Sequence, residues 1–262
     1  MSDATTQIQP LPKRDRWAIL TALLAITALA WTYLIHMAVN MPGMSAMPSG
    51  EMLQIRPWTS LDFVYMFLMW AIMMVGMMVP TAIPMTLIHA SVGRKAAHQG
   101  TPIASTALFV LGYVAIWTLF SAAATVAQWG LDQAALLSPM MVTNSPALGA
   151  GLMVAAGIYQ MTPFKNSCLE HCRSPFHFIS EHWRRGRLGA FRMGAEHGLF
   201  CLGCCWLLMG LLFFGGVMNL LWIAAITLFV LLEKILPMGA VGGRIAGGAM
   251  VIVGGLLFAV WT

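Results

Sequence analysis

"YMFLMWAIMMVGMMVPTAIPM", residues 65–85, is apolar almost throughout and carries seven methionines: Met66, Met69, Met73, Met74, Met77, Met78 and Met85. An uncharged run of this length reads as a membrane helix, which needs about 20 mostly apolar residues. At about 100° per residue, Met66, Met69, Met73 and Met77 form one narrow stripe, and Met74, Met78 and Met85 form a second, about 100° round the helix. Pro80 and Pro84 interrupt the backbone ladder, which a membrane tolerates where neighbours or a cavity satisfy the freed carbonyls.

The rest of the chain follows the same pattern. Of its 262 residues, 59% are hydrophobic and only 9% charged, against about 25% charged in soluble domains. This reads as an all-α, polytopic transmembrane bundle forming a single membrane domain over 1–262. Spans are expected at about 17–39, 62–88, 103–128, 146–163, 195–214, 217–234 and 241–261. Residues 1–16 read as a flexible cytoplasmic tail and 164–194 as a cytoplasmic loop. "HWRRGRLG" (182–189) would sit beside anionic headgroups, and a topology signal suffices to account for it. Ala28-Leu29-Ala30 resembles a signal cleavage site, but the apolar run continues to Val39, longer than a signal peptide requires.

With the N-terminus in the cytoplasm, seven spans put thirteen of the fourteen Lys and Arg residues on the inner side and only Arg56 outside, the positive-inside pattern. The net charge of +5 is thereby a matter of topology, and no nucleic-acid partner is implied. No internal repeat and no G-x-x-x-x-G-K-[ST] loop is present.

Methionine fills irregular gaps in packed interiors, and packing accounts for any one of the seven. For two stripes, soft-ligand chemistry stands beside packing, since thioethers favour Cu(I) over hard cations. A second methionine group, Met41, Met44 and Met47, recurs every third residue in the loop after the first span. Met52, His36 and Met37 lie nearby. An exposed methionine gains nothing from burial, and this segment resembles the methionine-rich extracellular arms of copper-handling proteins.

All five cysteines fall on the expected inner half, where thiols stay reduced. His197, Cys201 and Cys204 follow i, i+4, i+7 on one helix face, with Met193 at its inner end, Glu196 beside the histidine and Cys205 just off the face. Upstream, Cys168 and Cys172 are four apart and His171 lies between them. Thiolates suit Cu(I) and Zn(II) alike; the methionines favour copper(I), and zinc stays open. Glu233 and Lys234 end the sixth span, where snorkelling to the interface suffices. Gly239, Gly243 and Gly247, with Gly254 and Gly255, suit close helix packing.

"MWAIMMVGMMVPTAIP" (69–84), "YQMTPFKNSCLEHCRSP" (159–175) and "AEHGLFCLGCCW" (195–206), with "EKILPMG" (233–239) and Arg244, resemble a bacterial family of predicted metal-binding integral membrane proteins, sometimes labelled copper chaperones. The resemblance covers about residues 60–260. It implies a bacterial inner-membrane location and a link to copper handling. It implies as candidate ligands Met69, Met73, Met74, Met77, Met78, Cys168, Cys172, Glu196, His197, Cys201, Cys204 and Cys205. Gly76 and Thr81 depart from the commoner small residues of the pattern, a difference of packing rather than ligation.

The leading expectation is therefore a non-enzymatic membrane protein that moves Cu(I) inward or holds it for a copper-delivery or oxidase-assembly partner. Two alternatives stay open: a membrane thiol-disulfide oxidoreductase, and an assembly factor for a copper or haem oxidase.

Overall fold

The computed structural model describes residues 11–40, 58–98, 100, 105–138, 141–236 and 239–261. The described residues are helical almost throughout: α1 (Lys13–Asn40), α2 (Ser60–His98), α3 (Thr106–Gln133), α4 (Pro146–Gln160), α5 (Pro163–Arg173), α6 (Pro175–His182), α7 (Gly186–Gly210), α8 (Leu212–Gly215), α9 (Leu220–Ile235) and α10 (Gly239–Trp261). No strand occurs among them, only an isolated bridge between Leu137 and Thr143. Side-chain caps start several helices where the sequence has a serine, threonine or asparagine: Ser105 for α3, Ser145 for α4, Thr162 for α5 and Asn219 for α9. Each accepts a backbone N–H that the first turn leaves free.

The all-α reading holds. Five helices are long and apolar enough to cross a membrane: α1, α2, α3, α7 with α8, and α10. Helix α4 reaches that length only together with α5, across a bend of 65°. Helix α9 has 16 residues, a rise of about 24 Å at 1.5 Å per residue, short of the roughly 30 Å hydrocarbon thickness. Residues 164–194, expected to be a loop, contain α5, α6 and the first turns of α7.

Large apolar side chains cover the outside of the bundle, among them Leu29, Leu119, Leu188, Leu221 and Val260. Polar side chains turn inward: Gln128, Gln160, Lys165, His89 and His197 are all buried. That distribution suits a lipid surround, because hydrocarbon satisfies no polar group and the interior must.

Helix contacts set the directions. Asp15 pairs with Arg94, and Trp31 lies on Gly76, so α1 and α2 are antiparallel. His89 stacks on Phe109 while Trp70 bonds Gln128, so α2 and α3 are antiparallel. Gly194 lies against Phe109, and Gly198 against Ile116 and Tyr113, so α3 and α7 run parallel. A Cβ at Gly112 would overlap the Phe191 carbonyl oxygen, and one at Gly194 the Phe109 carbonyl oxygen. Small residues here bring the two backbones into contact, as in membrane helix pairs generally. Gly157 and Gly247 do the same for α4 and α10, and Gly254 sits against Ala150 and Val154. The expected glycine packing on α10 thus holds at Gly243, Gly247 and Gly254, whereas Gly255 has nothing within 4 Å.

Helix α2 passes through Pro80 and Pro84 without ending. Pro80 lacks the N–H that would bond the Gly76 carbonyl one turn back. The Trp31 indole N–H of α1 donates to that carbonyl at 3.2 Å.

Candidate functional site

The second-helix methionines face the bundle interior. Met69, Met73, Met74, Met77 and Met78 are each at 0% exposure, and they belong to one buried cluster with Cys168, Cys201, Cys204 and Cys205. Most of the two stripes legible in the sequence thus points away from the surround and toward the thiols of α7, while Met85 lies in a second buried cluster. At the far end of the stripe, Gln128 accepts the Trp70 indole N–H at 2.6 Å and donates its amide to the sulfurs of Met66, at 3.5 Å, and Met141, at 3.3 Å.

The cysteines all carry free thiols. Cys204 and Cys205 each donate S–H to the Cys201 carbonyl at 3.0 Å. Cys172 of α5 packs against the same buried cluster as Cys201, Cys204 and Cys205. Cys168 comes from α5 against Gly203 of α7, where a Cβ would stand 2.7 Å from its sulfur. Glycine at 203 is what lets α5 bring a thiol this close. The Tyr159 hydroxyl ties α4 to the same turn by donating to the Gly203 carbonyl.

Cys201 also sits in a polar node that the sequence did not reveal. Lys234 of α9 donates to its sulfur at 3.0 Å and to the Thr81 hydroxyl at 2.8 Å. The Tyr113 hydroxyl lies 3.0 Å from the same sulfur and donates to the Met78 carbonyl at 3.0 Å. Lys234 therefore turns inward to sulfur instead of snorkelling outward, and Thr81 has a polar role beyond packing. Its neighbour Glu233 points the other way and pairs with the Lys165 ammonium of α5, at 0% side-chain exposure. The Gln160 amide donates to the same carboxylate at 3.1 Å. One signal was available beforehand: two adjacent ionisable residues of opposite sign inside an apolar helix, and such groups are functional or structural by default.

Other predicted residues lie apart. Glu196 is paired with Arg184 at 2.9 Å and Arg192 at 3.1 Å, on the outside of the thiol cluster. His171 bonds the Ser167 carbonyl at 2.8 Å and stacks on Phe200 with ring centroids 4.1 Å apart. His197 does not join the sulfurs directly but lies among rings, 5.6 Å from Tyr113 and 5.4 Å from Phe178. Met41, Met44, Met47 and Met52 lie outside the described residues.

Residues 67–257 match the family described as PpoB2, a copper chaperone. The chain belongs to this family. Neither a curated protein nor a solved structure matches it. The match to the PpoB2 family spans every helix that builds the site, from the methionine stripes of α2 to most of α10.

Copper would be cargo to a PpoB2 copper chaperone. The donor set fits a soft ion: thioethers and thiols predominate, and the carboxylates of Glu196 and Glu233 are held in ion pairs. Among the described residues, no group of three or more His, Cys, Asp or Glu side chains is arranged to hold a metal. The cause is local. Cys204 and Cys205 spend their S–H groups on their own helix backbone, and an ammonium rests on Cys201. A metal would have to draw these sulfurs together and displace Lys234.

Proposed function

We propose that this protein handles Cu(I) inside the bilayer, receiving it along the thioethers of α2 and holding it at the thiols of α7 and α5. One observation carries the reading: five methionines that could have faced lipid are buried in the same cluster as three cysteines of α7 and Cys168. Thioethers are neutral, so an ion can approach them without a buried anion, and weak multi-site binding lets it leave again. Thiolates bind Cu(I) more tightly, which gives the path a direction without a nucleotide.

The finer reading has seven crossings with the N-terminus inside, in a bacterial inner membrane, and would put Met41, Met44 and Met47 outside and the thiols within. The ion then moves inward, or is kept for a delivery or oxidase-assembly partner. Zn(II) would compete at the thiols but has little affinity for the thioethers.

The test is copper in cells and on the purified protein, with and without Cys201→Ser plus Cys204→Ser. The double variant is expected to lose most bound copper and most protein-dependent accumulation. Unchanged values in both would remove the proposal. A second reading, thiol-disulfide exchange, is favoured by free Cys172 packing against the cluster that holds Cys201, Cys204 and Cys205. Trapping a mixed disulfide with a substrate thiol, at normal copper content, would favour it.

A further inference from the structure

His89 of α2 is at 0% exposure, and neither ring nitrogen has a hydrogen-bond partner among the described residues. The Nδ1 of His197 on α7 is likewise buried without a partner. An unsatisfied buried polar group is costly, and phenylalanine would fill either place without that cost. Each such group calls for an explanation, a bound water or ion among them.

Both histidines stand one turn after a buried methionine. "MTLIH" (85–89) and "MGAEH" (193–197) repeat the same Met-x-x-x-His spacing. Residues four apart share a helix face, so each turn offers one thioether and one imidazole to the same side. Met85, Met193 and Phe109 belong to one buried cluster, separate from the thiol cluster. The His89 ring stacks on Phe109 with centroids 4.5 Å apart, and the His197 ring lies 6.1 Å from the same phenylalanine. Because α2 and α7 are antiparallel, the histidine of each turn comes near the level of the other's methionine. The Met193 sulfur also accepts the Arg184 backbone N–H at 3.2 Å, which leaves it a second lone pair.

We propose that these two Met-x-x-x-His turns form a second station for Cu(I), made of imidazole and thioether, about one helical turn along α7 from the thiols. Tyr113, which touches both His197 and Cys201, marks the join. The inference rests on the Cu(I) reading and adds a zone of neutral, labile donors beyond the tight thiols. Neutral donors release the ion more readily than thiolate, as a hand-over step requires.

The test loads detergent-purified full-length protein with Cu(I), anaerobically, against a competing chelator. Copper per chain and X-ray absorption are measured. With all five cysteines changed to Ser, about one Cu(I) per chain should remain, in a nitrogen and thioether environment. Adding His89→Phe with His197→Phe should bring it to background. Retention unchanged by the histidine pair, or none at all without cysteine while the unaltered protein binds copper, would overturn the second station. Should the cysteine-free chain not fold, the histidine pair is changed in the otherwise unaltered protein. Its copper should then fall by about one per chain with an unchanged gel-filtration profile, and a full count overturns the proposal. An unaltered chain that binds no Cu(I) defeats the copper reading itself as well.

Discussion

The Lys234 ammonium lies 3.0 Å from the Cys201 sulfur and 2.8 Å from the Thr81 hydroxyl, joining α9, α7 and α2 at one point. Hydrogen bonds from a charged donor contribute about 1.5–3 kcal/mol each. Lys234→Met keeps the length and removes the donor. It should lower the thermal midpoint of the detergent-solubilised protein, and Lys234→Arg should lower it less. Equal midpoints for Met and native lysine would show that the contact contributes nothing.

In the Lys165–Glu233 pair the lysine is fully buried and the glutamate largely so. Removing one member leaves an uncompensated buried charge, a loss of about 3–5 kcal/mol. Glu233→Gln should therefore destabilise strongly, and Lys165→Met with Glu233→Leu should recover much of the loss. A double-variant cycle on thermal denaturation reads the coupling. Additive losses would contradict it.

The contact of α3 with α7 has no room for a methyl group at Gly194, where the obstacle is the Phe109 backbone. Gly194→Ala should separate the helices, move Cys201 from Tyr113 and abolish a monodisperse gel-filtration peak. Gly248→Ala, where nothing lies within 4 Å, should behave as the native protein. Equal peaks for the two would refute the close approach.

Trp31 serves the carbonyl that Pro80 leaves free. Trp31→Phe should cost about 1 kcal/mol in the native chain and little with Pro80→Ala, whose N–H takes the carbonyl back. The measurement is thermal stability of the four proteins. A penalty independent of residue 80 would assign the indole another role.

Helix α5 packs Cys172 against the buried cluster that contains Cys201. In a chain with the other three cysteines changed to Ser, diamide should join Cys172 to Cys201 within minutes. Cleavage between α5 and α7 followed by non-reducing electrophoresis detects the link. Two separable fragments after oxidation would place the thiols further apart.

Much of the helical order was readable in advance. Apolar runs near bilayer length, broken by polar loops, leave helix as the only economical backbone, because hydrocarbon offers it no partner. Periodicity also gave the two methionine stripes and the shared face of Cys201 and Cys204, since both are properties of one helix. The short polar stretch at 164–194 was harder to read: α5 and α6 are amphipathic pieces of 11 and 8 residues, too brief for a periodic signal.

The composition and spacing of the donors, and their confinement to a few apolar helices, were determined by the sequence alone. Which donors meet was decided only in three dimensions. Period 3.6 says which residues share a face but not which neighbour that face meets. Lys234 reaches Thr81 across 153 positions of chain, while adjacent Glu233 faces Lys165. Glu196, next to His197 in sequence, turns to two arginines instead of the metal-type donors. The Lys234 and Glu233 pairings follow from where α9 packs against α2, α5 and α7, a property of packed backbones rather than of any single helix.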